Sequence, residues 1–186
     1  MDVSVRPAGA SDAEAICRIY NQGIEDRLAT LETELRTPAE RLEWLTARGS
    51  RHPVVVAEAD GDVVGWGSLN RFNPRPAYDH VADLSVYVER RWRGRGVGRR
   101  LLARLIELGR ALGYHKMVLA AFPFNPSGIA LYRRMGFTEV GVYREQGQLD
   151  GKWVDVVVME KLLEGVSLPS GTTPPGSPAA IQSTSA

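Results

Sequence analysis

The stretch Arg93-Gly94-Arg95-Gly96-Val97-Gly98 constrains this chain more than any other. It follows an alternating run, Val81 to Val88, and opens a helical run from about Gly98 to Leu112. Glycines at 94, 96 and 98 let the backbone approach a ligand closely and adopt turns that a side chain forbids. A helix start adds unpaired N–H groups and the positive end of a dipole, which suits a phosphate. The amides from Gly94 to Arg99 can hold a pyrophosphate, with Arg93 and Arg95 adding charge. Alone, the stretch specifies a phosphate site and nothing about its owner.

Its place in the chain narrows the fold. Val3 and Val5 alternate as a first short strand, and Ser11-Asp12-Ala13-Glu14 has capping-box spacing ahead of Ile16, Ile19, Tyr20 and Gly23 on one helical face. Thr37-Pro38-Ala39-Glu40 starts a second helix, with Leu42 and Leu45 predicted to pack inward. Val54 to Ala59 and Val63 to Leu69 read as a hairpin about Asp60-Gly61-Asp62. In the fourth strand, Val81 to Val88, a period of two puts Asp83, Ser85 and Tyr87 on one face and Leu84, Val86 and Val88 on the other. The helix after the glycine turn carries Val97, Leu101, Leu105, Leu108 and Leu112, and Gly113 ends it. A fifth strand (Lys116 to Phe122), a short helix from Asn125-Pro126-Ser127 to Gly136, and a closing hairpin (Phe137 to Tyr143, Trp153 to Leu162) complete the order.

The predicted order is β-α-α-β-β-β-α-β-α-β-β, a mixed α/β sheet with helices on both sides. A dinucleotide-binding fold alternates more strictly and begins with its glycine turn. The GxxxxGK[ST] of an NTP-binding loop is also missing. Residues 1–163 are expected to form one domain, and 164–186, rich in Pro, Ser, Thr and Gly, a disordered tail.

Composition removes other classes. A net charge of +1 gives no global attraction to nucleic acid or an anionic membrane. Arg90, Arg91, Arg99 and Arg100 flank the glycine turn, but with Trp92 alone they lack the interleaved aromatics of an RNA-binding tract. His52, His80 and His115 lack metal-site spacing, and Cys17 reads as a helix core residue. No apolar run is long enough to span a bilayer and no signal-peptide core is present, so a cytoplasmic location is expected.

At this point the chain resembles the GNAT superfamily of acetyl-CoA-dependent N-acetyltransferases. Arg93 to Gly98 matches the family's [Q/R]-x-x-G-x-[G/A] element, and Asn125 followed by Ala130-Leu131-Tyr132-Arg133-Arg134-Met135-Gly136-Phe137 looks like its second acetyl-CoA element. The resemblance covers roughly residues 3 to 162 and implies a mostly antiparallel central sheet flanked by helices. Ala29-Thr30-Leu31-Glu32-Thr33, Arg36-Thr37-Pro38, Arg75-Pro76-Ala77-Tyr78 and Ser85-Val86-Tyr87-Val88 resemble the phosphinothricin-type branch. Those enzymes acetylate the α-amine of glutamate-like amino acids that carry a phosphinate, sulfoximine or sulfone. Asn70 to Tyr78 with Tyr143 to Trp153 looks most like the arsinothricin-resistance enzymes within it.

The resemblance also implies roles. Val86, Tyr87 and Val88 would run beside the pantetheine with main-chain hydrogen bonds, and Asn125 and Ser127 would meet the cofactor from the other side. Tyr132 is the candidate acid for the departing sulfur, against the plain alternative of an aromatic packed on a short helix. Asp83 is the candidate base where related enzymes have Glu; one methylene shorter, it would act through a bridging water or be a solvated strand carboxylate. Arg75 and Tyr78 are candidates for the substrate's acidic groups, and Leu31 stands where relatives often have Phe. No metal is implied, and a homodimer is, with the closing hairpin near the active site. Other acceptors (a polyamine, an aminoglycoside, a protein N-terminus) and a non-catalytic acetyl-CoA-binding module remain alternatives.

Overall fold

The computed structural model describes residues 2–163. The expected tail at 164–186 lies outside the described residues. Seven strands form one sheet in the order β1-β2-β3-β4-β5-β7-β6, and every neighbouring pair is antiparallel except β4 with β5. The strands are β1 (Ser4–Pro7), β2 (Val54–Ala59), β3 (Asp62–Arg71), β4 (Val81–Val88), β5 (Lys116–Ala121), β6 (Thr138–Leu149) and β7 (Lys152–Leu162). The helices are α1 (Ala13–Glu25), α2 (Pro38–Thr46), α3 (Val97–Ala111) and α4 (Pro126–Arg134). This is the element order read from the sequence.

Two apolar layers hold the sheet. On one face Leu101, Leu102, Leu105 and Ile106 of α3 pack on Val55, Leu69, Leu84, Met117 and Met159, with Ile129 of α4 at the margin. On the other, Ile16, Ile19, Tyr20 and Ile24 of α1 cover Val54, Val56 and Trp66. Gly67 is needed in the first layer, because a Cβ there would lie 2.9 Å from Leu105 Cδ1 and 3.0 Å from Ser85 O. Both Asp-Gly turns are two-residue reversals with positive φ throughout (Asp60 52°, Gly61 87°; Asp150 49°, Gly151 75°), the geometry that matches strand twist.

Three local readings change and one holds. The capping box at Ser11-Glu14 does not form; a 3-10 turn over Ala10–Asp12 precedes α1, and Asp12 Oδ2 accepts from Gly9 N–H at 2.7 Å while pairing with Arg6 at 2.8 Å. The Thr37 box does form, with Glu40 Oε2 accepting from Thr37 N–H at 2.6 Å. Leu42 does not pack inward: it is 40% exposed, and Arg41 takes the buried position with its guanidinium 3.9 Å over the Tyr20 ring. Stacking satisfies the cation there as no aliphatic contact would. The closing hairpin is longer than its pattern, because β6 continues past Tyr143 through a bulge with Glu145 at φ 52°, whose N–H is held by Asp155 Oδ1 at 2.8 Å.

Cys17 lies inside α1, 3% exposed, with Sγ donating to Arg36 O at 3.1 Å. Burial pushes its thiol up from the ordinary range. It is a core residue, as read from the sequence.

Candidate active site

The site begins where the sheet forks. β4 pairs with β3 along all but its first residue, from Ala82 opposite Arg71 to Val88 opposite Gly65. It pairs with β5 only over Val81–Asp83, against Lys116–Val118. Glu89 N–H bonds to Val64 O at 2.9 Å, and antiparallel alternation then turns the peptide groups of Tyr87, Ser85 and Asp83 toward β3. Those of Leu84, Val86 and Val88 face the β5 side. Beyond Asp83 that side is open, and an extended amide chain can add to it as a strand does.

The glycine turn closes one end of the opening. Gly94 and Gly96 have φ of 76° and 82°, and a Cβ on either would meet nothing within 4 Å, so the turn selects glycine by backbone conformation and leaves space above it. Arg95 N–H reaches Trp92 O at 3.4 Å, and Arg100 N–H turns back to Gly96 O at 3.2 Å. The intervening amides point out from the first turn of α3, beside the positive end of its dipole. Gly98 has a different reason: a Cβ there would stand 3.1 Å from Leu131 Cδ2, so glycine lets α3 and α4 approach.

These parts line a groove of about 970 Å³. Of the residues picked out in the sequence, it brings together Val86, Tyr87, Val88, Arg93, Gly94, Gly96, Gly98, Arg99, Asn125, Ser127 and Tyr132. Arg95 lies outside with its guanidinium 5.4 Å from the Trp92 ring centre, and Val97 is buried in the core as the anchor of α3. Arg93 is already engaged: it donates to Asp26 Oδ2 at 2.6 Å and to Val88 O at 3.2 Å, tying the turn to α1. Asn125 caps α4 by accepting from Gly128 N–H at 3.0 Å, and donates to Leu28 O at 3.3 Å. Sequence reasoning missed Leu28, Ala103 and Gly128 of the lining. Gly128, three residues after the Asn125 cap, offered a usable signal; the loop residue Leu28 carried none.

Asp83 sits at the fork, just beyond the groove lining, as the last residue of β4 paired to β5. Burial lifts its carboxyl to about 6, against a smaller opposing effect of Asn70, whose Nδ2 donates to Oδ2 at 3.2 Å. Tyr132 faces the groove with its ring 6.1 Å from Phe137; burial first, and then the charge of Asp83, push its phenol up to about 12. Tyr87 is driven higher by burial and packs between Gly23 and the Trp66 ring, 4.7 Å away. A carboxylate that ionises near neutrality and a phenol that keeps its proton thus stand within electrostatic reach of one another.

The acceptor candidates divide. Leu31 fills the space over Gly147 of β6, where a Cβ would be 2.9 Å from Leu31 Cδ1, and Arg27 pairs with Asp150 at 3.0 Å, so the α1–α2 loop closes on the β6–β7 hairpin. Tyr78 does not line the groove. With Arg51, His52, Arg71 and His80 it lines a separate hollow of about 350 Å³ at the other end of β4, and Arg75 caps the adjoining turn. Among the described residues no group of three or more His, Cys, Asp and Glu is placed to hold a metal ion. No helix among them is long and apolar enough to cross a membrane.

Comparison with known proteins decides the family. The Acetyltransferase (GNAT) family matches residues 15–137. The chain belongs to this family. It is an acetyltransferase whose co-substrate is acetyl-CoA, and the forked sheet, glycine turn and groove are the parts that fit that molecule. The methionine sulfoximine/methionine sulfone acetyltransferase of Pseudomonas aeruginosa is 36% identical over 166 residues, 88% of this chain and 96% of the relative. The phosphinothricin N-acetyltransferase of Streptomyces viridochromogenes is 35% identical over 155 residues, 83% of this chain and 84% of the relative. A phosphinothricin acetyltransferase from Sinorhizobium meliloti, solved in complex with acetyl-CoA, superposes with a TM-score of 0.84 at 32% identity, covering 94% of this acetyltransferase and 97% of that chain.

Proposed function

We propose that this GNAT acetyltransferase acetylates the α-amine of a small glutamate-like amino acid such as phosphinothricin, methionine sulfoximine or arsinothricin, and so detoxifies it. One observation carries the chemistry: the raised carboxyl of Asp83 at the fork of β4 and β5, within electrostatic reach of the protonated Tyr132. The names of the relatives supply the acceptor class. A cytoplasmic homodimer of one domain over residues 1–163 belongs to the same proposal.

When bound, acetyl-CoA supplies an activated acetyl thioester. Asp83, ionised above pH ~6, takes a proton from the acceptor's ammonium through a water, which leaves the amine's lone pair free to attack. The outward amides of Val86 and Val88 offer hydrogen bonds where negative charge grows on the carbonyl oxygen. Tyr132 holds a proton at Oη for the departing sulfur, and its raised phenol stays protonated across the working range. Turn amides and the basic residues around Arg99 hold the diphosphate. Leu31 and the β6–β7 hairpin bound the acceptor's side chain; Arg75 and Tyr78, placed at the separate hollow, are left out of this reading.

Thiol release from acetyl-CoA across an amine panel tests this reading. The panel holds phosphinothricin, methionine sulfoximine, an arsenic analogue, spermidine, an aminoglycoside and an alanine-initiated peptide. The amino-acid toxins are expected to give the highest kcat/KM. Preference for any of the last three overturns the substrate assignment, and binding of CoA with no release for any amine overturns the enzymatic one.

A further inference from the structure

Asn70 and Asp83 are directly opposed residues on β3 and β4, so their side chains leave the sheet on the same face. Asn70 Nδ2 donates to Asp83 Oδ2 at 3.2 Å and to Ser85 Oγ at 3.2 Å. Its other end is fixed independently. Arg48 Nη2 donates to Asn70 Oδ1 at 2.9 Å, and Ser68 Oγ lies 3.0 Å from the same oxygen. A guanidinium can only donate, so the atom facing Arg48 must be the amide oxygen and the atom facing Asp83 must be the nitrogen. Arg48 is itself held by His52 O at 2.8 Å, by Leu69 O, and by stacking 4.5 Å from the Trp44 ring centre.

We infer that Asn70, oriented by Arg48 and Ser68, is the positioning residue of the Asp83 carboxylate: it occupies Oδ2 and leaves Oδ1 as the oxygen that receives the proton. The inference deepens the proposed function and rests on Asp83 as the base. It also accounts for how a carboxylate one methylene shorter than the glutamate of similar enzymes is aimed, since a rigid cross-strand donor sets its rotation about the Cβ–Cγ bond.

The groups around Asp83 favour this reading. Val118 of β5 stands opposite it, and Ser85 and Tyr87 are its neighbours on the same face of β4. The phenols of Tyr87 and Tyr132 sense its charge; Tyr20 of α1 sits edge-on to Tyr87, with Arg41 of α2 over the Tyr20 ring. Among the described residues no cation pairs with Asp83. Its ionised form therefore depends on the Asn70 N–H, which opposes the effect of burial. Arg48, brought down to about 10 by burial, still carries its charge over the pH range in which the carboxyl titrates.

The test is kcat/KM for methionine sulfoximine from about pH 5 to about pH 9, read by thiol release. Variants are Asn70→Leu, Arg48→Met and Ser68→Ala, each checked for fold by circular dichroism, with Asp83→Asn alongside. Loss of the donor is expected to move the acid limb of Asn70→Leu up by about one pH unit, so that its activity falls about tenfold below the limb and by less at high pH. Arg48→Met, which frees the amide to turn its oxygen to Asp83, should move the limb the same way by less, and Ser68→Ala, which removes one of the two donors that fix Oδ1, by less again. Ser68→Ala, the mildest change, supplies the measurement if the others do not fold. A limb that stays in place in folded variants, or a uniform loss at every pH, overturns the positioning role. Full activity in Asp83→Asn instead overturns the reading of Asp83 as base, a different and distinguishable failure.

Discussion

Replacing Asp83 by Asn should make the protein more stable and less active at once. Folding carries the Asp83 carboxyl from an ordinary value of 3.8 to about 6, a rise of about two units. At 1.36 kcal/mol per unit, an ionised Asp83 opposes folding by about 3 kcal/mol. An asparagine keeps the shape and its oxygen still accepts from Asn70, though more weakly as a neutral pair, which leaves a net gain of about 2 kcal/mol. The pH window follows from the direction of the shift. Between pH ~4 and ~6 the folded protein holds a proton that the unfolded chain has released, so wild-type stability falls as pH rises through that interval and is level above it. The advantage of Asp83→Asn is therefore complete near pH 8 and gone by about pH 4. For a chain of this size it corresponds to a Tm higher by about 4–8 °C at pH 8. Thermal unfolding of both proteins at three pH values, with thiol release on the same samples, measures the two arms. Activity at pH 8 should drop by about 100-fold or more, and the gap should close below pH 6 as the wild-type carboxyl itself becomes protonated. A variant less stable than wild type at pH 8, or a gain that is the same at pH 4, would refute the claim that burial of the charge sets this carboxyl.

Other substitutions probe the remaining parts. Tyr132→Phe should lower turnover by about 100-fold while calorimetry finds the dissociation constant for CoA unchanged. Gly96→Ala forces a side chain to φ 82°, a strain of about 1–2 kcal/mol, and should raise the KM for acetyl-CoA by about tenfold with kcat little altered. Gly67→Ala pushes a methyl against Leu105 and the Ser85 carbonyl and should cost about 1–3 kcal/mol in urea unfolding.

How much of this was legible depends on the range of the interaction. Local codes read well: the Thr37–Glu40 box, the Asp60-Gly61 turn and the alternation of β4 are short-range rules, and each stands where the pattern put it. The Ser11 box failed because Arg6, six residues away, competes for Asp12 and draws the helix start forward. Leu42 failed because hydrophobicity cannot foresee a guanidinium stacked on Tyr20 of another helix. In the groove, the glycine turn and α4 were readable as motifs. The engagement of Arg93 by Asp26 was not, since 67 residues separate them. The pairing of Asn70 with Asp83 was likewise hidden until the register of β3 on β4 was known.

The buried thiol of Cys17 makes the protein its own folding gauge. Because it is the chain's single cysteine and is closed inside α1, the folded enzyme contributes almost no background to a colorimetric thiol assay, and the signal belongs to released CoA. The same burial means that a thiol reagent gains access only when the segment from Arg36 to Arg41 lifts from α1. The labelling rate of Cys17 then reports how often the contact between α1 and the Arg36–Arg41 segment opens, and slower labelling in the presence of acetyl-CoA would measure how far a ligand held against Ile19 and Gly23 of the same helix damps that opening.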